Sequence, residues 1–245
     1  MKKQGIGFIS NIIIVLAVFI LFFSGYKIEG ILADYNASEK VYSEAEEFVS
    51  VQEVSEETEK AEETLDVDFT ALQKVNPDVI GWIYLKDSNI NYPIMKSEDN
   101  KDYLHVTYNG EKASAGSIFM DCRNSWGDHN VVIYGHNMKD GSMFHDLRNF
   151  RDKDWYESHQ IISLVTPENG EVKYKVISVL NTDAYSSSYK MNFSSQDEYS
   201  EWVDEICKKS LYSVTPDYHK NVITLSTCRG VSGSDTRLVI HLQEL

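Results

Sequence analysis

The sequence predicts a mainly β domain, a closed or nearly closed barrel of short strands, set behind an apolar N-terminal helix. Three observations predict it. Short β-prone runs divided by turn signals recur from Val79 to Leu242. An uncharged stretch, Gln4 to Tyr26, precedes them all. One amphipathic helix, Ser195 to Lys208, interrupts the strand pattern and therefore belongs outside the sheet.

Taken in order, the apolar stretch comes first. Ile12 to Phe23 is almost wholly apolar, and the uncharged segment is long enough for a helix to cross a ~30 Å hydrocarbon core. Lys2 and Lys3 precede it, so the positive-inside rule puts the N-terminus in the cytoplasm. Residues 1–4 form a short cytoplasmic tail and residues 5–26 a single-pass transmembrane signal anchor, with everything after Lys27 facing outward. A cleaved signal peptide would need a small-x-small site, and Phe22-Phe23-Ser24-Gly25-Tyr26 supplies no convincing one. Residues 27–66 read as an acidic spacer, with glutamates crowded from Glu44 to Glu63. Val41, Ala45, Phe48 and Val49 recur at helical spacing, which argues for an amphipathic helix on the domain in part of it. The charge density argues equally for a solvated stalk.

From Val67 to Leu245 the composition becomes that of a folded domain. Phe69 to Val75 is a short helix stopped by Asn76-Pro77. Val79–Leu85 and Ile90–Met95 are strands joined by Lys86-Asp87-Ser88-Asn89, and Ser117–Met120 and Val131–Tyr134 are two more. Ser142–Phe150 and Lys153–His159 are helical turns. Ile161–Val165 and Val172–Leu180 pair around Pro167-Glu168-Asn169-Gly170. In the helix from Ser195, Ser194 or Ser195 caps the start, and Tyr199, Trp202, Val203 and Ile206 make the apolar stripe. The last two strands end the chain.

Those strands carry the chemistry. Thr224-Leu225-Ser226-Thr227-Cys228 ends in a thiol, a Gly/Ser/Asp loop follows, and Thr236–Leu242 carries Arg237 near its start. As a hairpin this brings a thiol and a guanidinium together. Val131-Val132-Ile133-Tyr134-Gly135-His136 brings a histidine to another strand end. Side chains alternate faces along a strand. Ile223 and Leu225 therefore oppose Ser226 and Cys228, Val131 and Ile133 oppose Tyr134 and His136, and Leu238, Ile240 and Leu242 oppose Arg237. A cysteine, a histidine and an arginine on the non-core face are what cysteine-based acyl transfer uses.

Composition narrows the alternatives. The formal net charge of −15 argues against nucleic acid as a partner. Cys122, Cys207 and Cys228 form no C-x-x-C pair and have no zinc-ligand spacing, so no metal is expected. An odd count outside the cell leaves a free thiol, assigned to Cys228. A Cys122–Cys207 disulfide has no support in the sequence. His105, His129, His145, His159, His219 and His241 are scattered and read as structural or surface residues.

Ordered motifs across roughly Asp66 to Leu245 resemble one family. They are Thr224-Leu225-Ser226-Thr227-Cys228 with Arg237, and Tyr134-Gly135-His136-Asn137. With them go Ile80-Gly81-Trp82-Ile83, Ile90-Asn91-Tyr92-Pro93-Ile94, Asp99-Asn100-Lys101-Asp102-Tyr103-Leu104 and Ala115-Gly116-Ser117-Ile118-Phe119-Met120-Asp121. The chain resembles the class B sortases, membrane-anchored cysteine transpeptidases of Gram-positive bacteria, and the Ser195 helix falls where class B members insert one. The resemblance implies an eight-stranded barrel with a groove at one end. It implies cleavage of a C-terminal sorting signal, N-P-x-T-x or related, after threonine through a thioester. The carbonyl then passes to a cell-wall peptide amine, which anchors surface proteins. Carried over by motif, Cys228 is the nucleophile, His136 the acid/base and Arg237 the oxyanion stabiliser. Asn100, Leu104, Tyr189 and Ser226 line the substrate groove. Arg229 stands where some class B relatives carry an acidic residue. No cofactor is required.

Asn137 is an alternative orienter of His136, as in papain-like triads, although there the cysteine precedes the histidine in the chain. The alternative functions are a cysteine peptidase that hydrolyses its thioester and a membrane-anchored peptide-binding module without chemistry.

Overall fold

A computed structural model describes residues 3–54, 62–228 and 235–245, and the side chains of all of these except residues 3–10, 52–54, 62, 63 and 228. Helix α1 runs unbroken over Lys3–Glu46, and the first proline of the chain is Pro77. It is the one helix among the described residues long and apolar enough to cross a membrane. Its apolar stretch packs against nothing: Leu21 and Phe22 are 70% and 72% exposed. Its last turns behave differently, since Val41, Tyr42 and Ala45 are buried in the main core.

The helical spacing at Val41 and Ala45 thus corresponds to a helix end seated on the domain, whereas Val49 opens a strand. Strands β1 (Val49–Val54) and β2 (Glu62–Val67) pair antiparallel, Val49 opposite Val67. Sequence reading placed no strands here because the glutamates mask the short alternation of Val49, Val51 and Leu65. Glu171 ties the pair to the barrel: one carboxylate oxygen accepts from the Leu65 N–H (2.9 Å) and the other from the Ser163 hydroxyl (2.6 Å).

Helix α2 (Phe69–Val75) is capped by Asp68, whose carboxylate accepts from the Ala71 N–H. Eight strands then close a barrel. They are β3 (Val79–Tyr84), β4 (Asn91–Met95), β5 (Ile118–Met120), β6 (Asn130–Tyr134), β7 (Ile161–Thr166), β8 (Gly170–Asp183), β9 (Val222–Cys228) and β10 (Thr236–Glu244). The order around the barrel is β10-β8-β7-β3-β4-β5-β6-β9. Two neighbouring pairs, β4–β5 and β6–β9, are parallel, and the others are antiparallel. Closure leaves no free edge.

Alternate residues fill the main core, among them Ile133, Leu225, Leu238, Ile240 and Leu242. The opposite face of β8, β9 and β10 is covered as well. Helix α4 (Gln196–Lys208), capped by the Ser195 hydroxyl, lays Tyr199, Trp202, Val203 and Ile206 on Ile177, Leu180, Val222 and Val239. This second layer lies outside the barrel, where the interrupted strand pattern puts it. It buries His241 completely, edge-on to Trp202 at 6.0 Å between ring centroids. Helix α3 (Lys153–Ser158) and 3₁₀ turns at Asp102–Leu104, Phe144–Arg151 and Ser187–Tyr189 complete the fold.

Candidate active site

Three strand ends meet at one rim. β6 and β9 run parallel with Tyr134 opposite Ser226, and β10 runs antiparallel to β9 with Arg237 opposite Cys228. The Gly135 N–H donates to the Ser226 carbonyl at 3.1 Å, carrying the β6–β9 ladder one residue beyond β6 and delivering His136 to the rim. Gly135 has no substitute here. A Cβ would lie 2.4 Å from the Ile118 side chain and 2.6 Å from the Phe144 ring.

A cleft of about 320 Å³ opens at this rim, lined by Asn100, Leu104, Phe119, Tyr134, Gly135, His136, Ala184, Tyr189, Ser226, Thr227 and Arg237. His136, Arg237, Asn100, Leu104, Tyr189 and Ser226 therefore share one cavity. Cys228 enters through its backbone position opposite Arg237. Its side chain and Arg229 lie outside the described residues.

The His136 ring is held by its Nε2, which donates to the Leu104 carbonyl at 2.8 Å. A carbonyl only accepts, so this bond puts the proton of the neutral ring on Nε2 and leaves Nδ1 as a base. Burial pushes the imidazole below its ordinary value. The Leu104 carbonyl works against that push, and His105 adds to it. His105 also stacks on His136, centroids 5.6 Å apart at 12°, a contact that sequence spacing did not suggest. The ring's Nε2 is thus held by Leu104, and Asn137 bridges to Met143 through its backbone.

Leu104 is fixed from below. Gly116, at φ +56°, sits so close that a Cβ would fall 2.4 Å from the Leu104 carbonyl oxygen. The Tyr42 hydroxyl at the end of α1 donates to the Gly116 carbonyl and lies 3.2 Å from Ser117 Oγ, which in turn donates to the Val106 carbonyl at 2.8 Å. The far end of the N-terminal helix is thereby two contacts from the carbonyl that orients His136.

On the opposite wall, Tyr189 and Ser226 hydroxyls are 2.8 Å apart, and the Tyr189 ring stacks at 6.4 Å on Tyr134. Ser226, expected on the groove face, is only 2% exposed, with the Tyr189 hydroxyl of the segment before α4 against its own. The alternation yields an open groove only at the strand end. Thr227 also lines the cleft although it shares parity with Leu225, because it stands where β9 passes the rim.

The sequence assigns no role to Phe119 or Ala184, whose side chains carry no chemistry that spacing could flag, nor to Thr227, whose parity puts it on the core face. Among the described residues no group of His, Cys, Asp and Glu is placed to hold a metal. Cys122 and Cys207 are both free thiols. Burial pushes Cys207 up to about 11, with Asp204 adding to it, so it stays protonated and inert.

A family model described as the sortase domain matches residues 83–244. The chain is 36% identical over 222 residues to sortase B of Listeria monocytogenes serovar 1/2a, covering 88% of this chain and 87% of that one. It is 30% identical over 242 residues to sortase B of Staphylococcus aureus, covering 97% and 96%. Its structure matches that of sortase B from B. anthracis in complex with AAEK1 with a TM-score of 0.75, at 36% identity, over 88% of this chain and 99% of that one. It matches the Staphylococcus aureus sortase B–substrate complex with a TM-score of 0.68, at 32% identity, over 72% and 84%.

Proposed function

Because the chain belongs to the sortase family, in its class B branch, and is a cysteine transpeptidase that processes sorting signals, we propose how this molecule carries out that reaction and on what. The substrate is a surface protein with a C-terminal N-P-x-T-x or related signal, cut after threonine. The acceptor is a cell-wall peptide amine. Residues 5–26 anchor the enzyme, residues 1–4 stay in the cytoplasm, and the domain from residue 67 works outside, behind the 27–66 segment. The observation that carries this reading is the convergence of His136, Arg237 and the Cys228 backbone at one rim.

Cys228 Sγ attacks the threonine carbonyl carbon and forms a thioester as the C–N bond breaks. His136 supplies the proton to the departing amine. Arg237 steadies the oxyanion with the N–H donors of its planar fork and takes no part in proton transfer. The acceptor amine then attacks the thioester, the thiolate leaves, and His136 Nδ1 takes the amine's proton. Burial holds His136 below its ordinary value, which disfavours its imidazolium form.

The test is mass spectrometry of a peptide carrying the N-P-x-T-x pattern, incubated with enzyme with and without a glycine- or diaminopimelate-type amine. The expected product is the threonine-ended fragment joined to the amine, absent with Cys228→Ala. Hydrolysis alone at saturating amine would make the enzyme a peptidase. Membership of the family sets aside the non-catalytic binding module.

A further inference from the structure

Just past β5, the Asp121 carboxylate is completely buried yet touches two residues of the cleft. Its Oδ2 accepts from Asn100 Nδ2 (3.0 Å), from the Tyr134 hydroxyl (3.0 Å) and from Arg123 Nη2 (2.8 Å). Its Oδ1 accepts from Arg123 Nε (2.8 Å) and the Arg123 N–H (3.0 Å). An isolated buried carboxylate would be costly, and five donors offset that cost. Burial raises its pKa, but the Arg123 and Tyr134 hydrogen bonds outweigh it, so the group stays ionised.

An ionised carboxylate only accepts, and that fixes what its neighbours show the cleft. Asn100 must turn Nδ2 towards Asp121. Its Oδ1 already accepts from the Cys122 N–H at 2.7 Å, which holds the amide in this orientation and leaves Asn100 one N–H donor beside one oxygen lone pair. Tyr134 spends its proton on Asp121, so its remaining capacity is an oxygen acceptor. Asp121 itself never meets the substrate.

We propose that Asp121 is a positioning residue that sets the polarity of the substrate groove. It makes Asn100 a donor to a backbone carbonyl of the bound peptide and Tyr134 an acceptor from a backbone N–H. This rests on the sorting-peptide reading above. A neutral amide at position 121 would release both constraints, because it can donate to Tyr134 and Asn100 as well as accept.

The experiment is steady-state cleavage of one fluorogenic N-P-x-T-x peptide by wild type, Asp121→Asn, the Asn100→Ala/Tyr134→Phe pair, and all three changes together. Folding is checked by circular dichroism. In Asp121→Asn, KM should rise about tenfold with kcat within about threefold, since the affected contacts act on bound substrate and transition state alike. In the Asn100→Ala/Tyr134→Phe background the same change should alter KM less than about twofold. Asp121→Glu, which keeps the charge, should recover at least a third of the lost affinity. If Asp121→Asn loses its fold, Tyr134→Phe alone carries the test: it removes one of the same bonds and leaves the ion pair, and KM should rise threefold or more. An unchanged KM, or an Asp121 effect that persists in full without Asn100 and Tyr134 Oη, would overturn the proposal. Failure of wild type to cleave would instead overturn the substrate reading.

Discussion

The end of α1 and the β1–β2 pair lie within the stretch that composition marks as spacer, and cutting the chain at Asp66 would remove most of both. Such a chain loses Val41, Tyr42, Ala45 and Leu65, all buried in the main core. Burying a valine- or leucine-sized side chain is worth about 1.5–3 kcal/mol. Set against the entropy of ordering a helix end, and taken as an upper bound on area removed from water, the net loss is about 3–6 kcal/mol. That compares with a total stability of about 5–15 kcal/mol for a domain. The assay is urea unfolding by circular dichroism of two chains, one starting at Lys27 and one at Asp66. With a slope of about 1–3 kcal/mol/M, the shorter chain should unfold about 2 M earlier. Its turnover should fall further than its folded fraction, because the Tyr42 bond to Gly116 supports the Leu104 carbonyl that holds His136. Tyr42→Phe isolates that bond and should cost about 1–3 kcal/mol, the penalty of leaving a buried acceptor unmet. Midpoints within about 0.3 M of each other would refute the claim that α1 is part of the folded unit.

Three further outcomes are expected. Arg237→Lys should lower kcat by about 10²–10³, the usual loss for an oxyanion donor, because lysine keeps the charge and loses the planar fork; near-wild-type kcat in a folded variant would reduce Arg237 to a point charge. Gly135→Ala should displace His136 and lower kcat and the melting temperature together, since its Cβ would overlap Ile118 and Phe144; a fully active variant would show that the rim is softer than the packing implies. His241 has both ring nitrogens buried without hydrogen-bond partners, and burial lowers it to about 3, with the Ser188 backbone outside hydrogen-bond geometry and opposing this only in part. The unfolded chain, near 6.5, then binds the proton that the folded chain refuses, so stability is intact above about 6.5 and is lost as pH falls towards 3. Between pH 7 and pH 5 that loss is about 2 kcal/mol, and His241→Leu should abolish it; a wild-type-minus-variant difference that stays flat across those pH values would contradict the assignment.

The barrel was legible because its strands are short apolar, β-prone runs and its turns carry Gly, Pro, Asn and Asp. The Phe69–Val75 helix and the Ser195-capped helix emerge from the same rules, down to the capping serine. The β1–β2 pair was not legible, because crowded glutamates hide the short alternation of Val49, Val51 and Leu65, and its tie to Glu171 is a contact distant in the chain. At the site, spacing and motif singled out His136, Arg237, Asn100, Tyr189 and Ser226, which line the cleft, but not Thr227. Spacing could not identify Leu104 as the carbonyl that fixes His136, because a main-chain acceptor has no sequence signature. Nor could it identify the Asp121 hub, since an aspartate after a strand reads as a surface turn until its five donors are counted.

The arrangement of directions around the barrel explains why residues so far apart in the chain form one site. In an antiparallel pair the carboxyl end of one strand lies beside the amino end of the next. Had β6 and β9 been neighbours of that kind, His136 and Cys228 would sit at opposite rims, about 16 Å apart for a five-residue strand at ~3.3 Å per residue. Because β6 and β9 are parallel, both chains leave the barrel at the same rim. A parallel pair needs a long crossover, and the segment between them supplies it, carrying β7, β8 and α4. The same crossover contributes Tyr189 to the cleft wall and α4 to the outer layer that buries the β9 face behind it. β10 then returns antiparallel to β9, so its first residues, Arg237 among them, start at the rim where β9 ends. One parallel pair followed by one hairpin thus suffices to bring an imidazole, the cysteine position and a guanidinium to a single opening. The remainder of the barrel serves to hold those three strand ends rigid.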